Sequence, residues 1–68
     1  MSMAKEVTKE NLKKYAEEHL DGTVNMVAAG LLNTERAKGH VRELFYLSAT
    51  FGLELEDKTR KILKEYEK

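Results

Sequence analysis

The chain has 68 residues, enough for one domain at most, and a core of that size seldom supplies more than about 3 to 5 kcal/mol of net stability alone. Cysteine is absent, which excludes disulfides, thiolate metal sites and thiol nucleophiles, so oligomerisation or close helix packing must supplement the core. The 12 basic side chains balance the 12 acidic ones, and net charge therefore implies no polyanionic partner.

The start Met1-Ser2-Met3-Ala4 is followed by Lys5 and Glu6 rather than an apolar run. This is the pattern of neither a secretory signal nor a transit peptide, and a cytoplasmic location is expected. Residues 1–7 read as a flexible leader and 8–68 as a single helical domain.

The first helix should begin near Lys9, with Thr8 capping its free amides and Val7 meeting Leu12 as a hydrophobic staple. Leu12, Tyr15, Ala16 and Leu20 share one face, while Lys9, Lys13, Glu17 and Asp21 line the other. Asp21-Gly22-Thr23 is the expected end, with Gly22 as C-terminal cap and Thr23 capping the next element.

From Val24 to Phe51 no proline intervenes, and a 3.5-residue spacing runs through Val27, Gly30, Thr34, Ala37, Val41, Leu44, Ser48 and Phe51. One helix of about 28 residues, roughly 42 Å long, fits this pattern. A competing reading breaks it at Leu32-Asn33-Thr34, where Asn33 or Thr34 caps a new helix from Glu35. Gly52 then caps the end with Leu53 folded back over it. Leu55, Thr59, Ile62, Leu63 and Tyr66 form the apolar stripe of a third helix. The expected fold is all-α: three helices, short, long and short, in an antiparallel homodimeric bundle.

Two charge-free stretches, Gly22 to Thr34 and Leu44 to Leu53, are the reason to expect a second copy. A helix packed on one side only carries a charged outer face, whereas these stretches spread apolar residues around the axis. Both fall short of the roughly 20 apolar residues that cross a bilayer, so no membrane partner is expected. The expected dimer interface is the small-residue stripe of the long helix: Val27, Gly30, Leu31, Thr34, Ala37, Val41 and Leu44. Met26, Tyr46 and Leu47 make a candidate patch for another protein.

Chemistry is sparse. His19 has Glu17, Glu18 and Asp21 nearby but no second histidine on its helix face, and His40 sits between Arg36 and Glu43 as in a surface network. Neither meets the three-ligand requirement of a metal site, and neither metal nor cofactor is expected. Ser2 and Ser48 lack a local base, and Gly22, Gly30, Gly39 and Gly52 are too scattered for a phosphate loop, so no catalytic residue is assigned.

The segment 29–44 looks superficially like a helix-turn-helix, with Ala29, Leu32 and an Asn33-Thr34 turn where such motifs want them, and its residues 33–44 carry Arg36, Lys38, His40 and Arg42, able to meet phosphates. Its disagreement lies at Gly39 and Arg42, where such a motif buries apolar residues. The function expected from the residues is protein–protein contact by a non-enzymatic homodimer, an adaptor or regulator. A small nucleic-acid-binding regulator is the alternative. A break in the long helix, with Arg36, Lys38 and Arg42 on one basic face, would favour that alternative.

Overall fold

A computed structural model of the chain describes residues 8–67, and the expected leader lies outside them. Three helices follow in order: α1, Lys9–Ala28; α2, Thr34–Phe51; and α3, Glu56–Tyr66. No strand occurs among the described residues. The long central helix does not form. Its first five residues, 24–28, instead finish α1, whose 20 residues exceed the 18 of α2 and the 11 of α3.

The chain turns at Gly30 rather than at Gly22. Gly30 holds φ 77°, in the left-handed region that glycine enters without steric cost. Around it the amide of Leu31 donates to the Met26 carbonyl at 2.9 Å, and that of Gly30 to the Val27 carbonyl at 3.1 Å. This pair of reversed bonds is the Schellman closure of a helix end. Asn33 then starts α2, its side-chain oxygen accepting the Arg36 amide at 2.9 Å. Gly22 stays helical despite its propensity cost of about 1 kcal/mol, because the helix beyond it buries Thr23 and half-buries Val24 and Val27.

The other ends match expectation. Thr8 accepts the Asn11 amide at 3.1 Å to cap α1. Gly52, at φ 65°, ends α2, and the Leu53 amide returns to the Ser48 carbonyl at 3.0 Å. Leu53 itself is completely buried.

Leu55 precedes α3 and has no side chain able to cap it. Ser48 of α2 acts in its place. Its buried hydroxyl accepts the Leu55 amide at 2.8 Å and donates to a Glu56 carboxylate oxygen at 2.8 Å.

Ala16 and Leu20 of α1, Val41 and Leu44 of α2, and Leu53 and Leu55 before α3 make the core, with Leu12, Leu47, Ile62, Leu63 and Tyr66 packed around it. α2 packs against both α1 and α3. The Cα radius of gyration is 13.0 Å, against about 11 Å for a compact domain of this length. The single chain is thus more open than a finished globule. Several large apolar residues remain outside: Tyr15 at 60 % exposure, Met26 at 44 %, Leu31 at 73 %, Tyr46 at 60 % and Phe51 at 52 %. Phe51 continues the stripe of Ala37, Val41, Leu44 and Ser48 but stands at the last residue of α2, where the chain turns away at Gly52 and leaves its ring uncovered.

Candidate functional site

The α1–α2 pair has two sides. On one, Lys13 reaches Glu54 at 3.7 Å, Asp21 meets Lys58 at 3.5 Å, and the Arg60 guanidinium lies 5.7 Å from the centre of the Phe45 ring. These contacts place α3 and the loop before it on that side. On the other side α1 presents Tyr15, His19 and Met26, and α2 presents His40, Glu43 and Leu47, residues three, four or seven apart along each helix and therefore in register on one face.

His19 and His40 face each other across this second side, with ring centres 5.8 Å apart and planes inclined at 47°. Tyr15 adds a third ring, its centre 6.1 Å from that of His19. With Glu43, Leu44 and Leu47 they line a shallow cleft of about 190 Å³. Neither imidazole forms a hydrogen bond or ion pair among the described residues. The sequence does not reveal this meeting, because it depends on the helix register, and that in turn depends on where the chain turns.

The expected dimer stripe is taken apart by the turn. Ala37 and Val41 are fully buried and Leu44 nearly so, all within the chain's own core. Gly30 and Leu31 belong to the connection, Thr34 opens α2, and Val27 is half-buried at the end of α1. A stripe that needed one continuous helix becomes an interior and a loop. The patch of Met26, Tyr46 and Leu47 also divides, since consecutive helical residues diverge by about 100°. Leu47 borders the histidine cleft, whereas Tyr46 is exposed and is not among the residues lining it.

The basic residues of segment 33–44 do not share a face either. Arg36 and His40 lie four apart on one line, and Lys38 and Arg42 on another about half a turn away. Lys38 is already paired with Glu35 at 3.0 Å. A separate basic surface runs along α3, where Asp57, Lys58, Arg60, Lys61 and Lys64 border an open recess of about 430 Å³. Lys58 and Arg60 there are engaged with Asp21 and Asp57.

No protein-family model, curated protein or solved structure matches the chain. Function must therefore be argued from its own residues. Among the described residues no three His, Asp or Glu side chains form a group able to hold a metal ion, and no helix is long and apolar enough to cross a membrane. The cleft is lined by the two imidazoles, the Tyr15 ring and Glu43, with Leu44 and Leu47 completing its wall.

Proposed function

We propose that the protein acts by protein–protein contact, as a non-enzymatic homodimer serving as adaptor or regulator. The observation that carries this reading is the uncovered side of the α1–α2 pair, where Tyr15 stands exposed beside a half-buried Leu47 and Met26 stands exposed further along α1, while α3 occupies the opposite side. An apolar face rimmed by polar groups suits association.

Charge placement favours a second copy as the occupant. Arg36 and Glu43 flank His40 along α2, one on each side. Two copies of α2 crossing antiparallel at His40 would set Arg36 of each against Glu43 of the other. Such reciprocity is what a two-fold interface requires.

Sedimentation equilibrium at micromolar concentration, in buffer containing EDTA, tests the proposal. A dimer is expected, and Tyr15→Glu should yield monomers with unchanged helical content. A wild-type chain that remains a folded monomer over that range would sink the reading.

The turn at Gly30 and the Asn33 cap support the second reading, nucleic-acid binding, since they give segment 33–44 its own helix start. The divergence of Arg36, Lys38 and Arg42 weakens it. Binding to a DNA duplex that fades with added salt, and is reduced by Arg36→Ala and Arg42→Ala, would favour that alternative.

A further inference from the structure

The geometry points to His19 and His40 as one half of a divalent transition-metal site that a second copy of the chain completes. This inference rests on the self-association proposed above. Imidazole is a ligand for Zn²⁺, Cu²⁺ and Ni²⁺, and a zinc–nitrogen bond is about 2.0 to 2.1 Å. An ion so bound lies roughly 3.2 Å from each ring centre, so two imidazoles at a tetrahedral angle have centres roughly 5.2 Å apart. The observed 5.8 Å differs from this by little more than a small side-chain rotation. Both imidazoles are exposed, and their nitrogens are engaged by no other described residue, so they are free to turn toward an ion.

One chain supplies only two ligands, short of the three or four protein ligands that zinc sites use. The two-fold crossing at His40 brings the same pair from the other copy to the same place and gives four nitrogens. Tyr15 and Leu47 border the cleft and would limit water access to the ion.

The test is a titration of the full-length chain with Zn²⁺ alone, followed by sedimentation and thermal melting, against the same protein in EDTA. Expected are saturation at one ion per two chains, a shift toward dimer at chain concentrations low enough for the EDTA-treated protein to dissociate, and a melting temperature raised by several degrees. All three should be lost in His19→Ala and in His40→Ala and kept in Lys61→Ala. The site is overturned if Zn²⁺ leaves both mass and melting temperature unchanged, if it binds one ion per monomer, or if its effect survives in both histidine variants. A dimer that persists in EDTA and ignores Zn²⁺ removes the metal site while leaving the self-association. A monomer under every condition removes both.

Discussion

Ser48 carries more structure than its size suggests. Its hydroxyl is buried between the end of α2 and the start of α3, accepting from the Leu55 amide and donating to Glu56, while its carbonyl receives the Leu53 amide. Ser48→Ala leaves the Leu55 amide buried without its acceptor, a loss of about 1 to 3 kcal/mol that chemical denaturation would measure. The other bond, from the Ser48 hydroxyl to the carboxylate, is the main cause holding the Glu56 carboxyl below its ordinary pKa. A carboxyl whose folded pKa is depressed stabilises the fold above its unfolded pKa, and that contribution fades as pH falls through the folded value. Stability should thus decline below about pH 4, and Glu56→Gln should flatten that acid limb. At the opposite extreme, burial first and the neighbouring Glu65 second raise the Tyr66 pKa. The neutral phenol is favoured in the fold, so its contribution is complete below about pH 10 and is lost as pH rises through the raised value. Tyr66→Phe should abolish this alkaline dependence in pH-resolved melting.

At the scale of elements, the glycines separate by backbone conformation. Gly30 needs its positive φ, and Gly30→Ala should destabilise by about 1 to 2 kcal/mol. Gly22 is helical, and an added methyl there would meet nothing within 4 Å, so Gly22→Ala should stabilise by about 0.5 to 1 kcal/mol. Urea midpoints of the two variants, moving in opposite directions, would check the turn position. The helix ends with strong local chemistry were legible in the sequence: Thr8 before α1, the Gly52-Leu53 return, and the Leu55–Tyr66 stripe of α3. The turn itself was harder to read, because Gly22 and Gly30 offer the same local signal. The burial of Thr23, with Val24 and Val27 half-buried beyond it, decides between them, and that is a tertiary effect. Asn33 was visible as a cap in the competing reading. With the turn at Gly22, the stripe from Val27 to Leu44 reads as an interface, and the approach of His19 to His40 stays hidden.

For the whole molecule, an open arrangement with a core of small and medium side chains leaves stability sensitive to what covers the Tyr15 side. Self-association should therefore make the melting temperature rise with protein concentration. A series from low to high micromolar would show this in the wild type, and Tyr15→Glu should give a flat line. The Lys58–Asp21 and Lys13–Glu54 pairs, both exposed, add little to this balance and should be insensitive to removal within about 0.5 kcal/mol.

The Ser48 link also orders events in time. Eleven residues are too few for α3 to persist as an isolated helix, and its first turn borrows a side chain from the last turn of α2. The expected order is therefore that α3 condenses onto an α2 already in place. Native-state hydrogen exchange should find the amides of α3 opening as a group ahead of those of α2, so that the C-terminal helix unlatches while the α1–α2 hairpin stays closed.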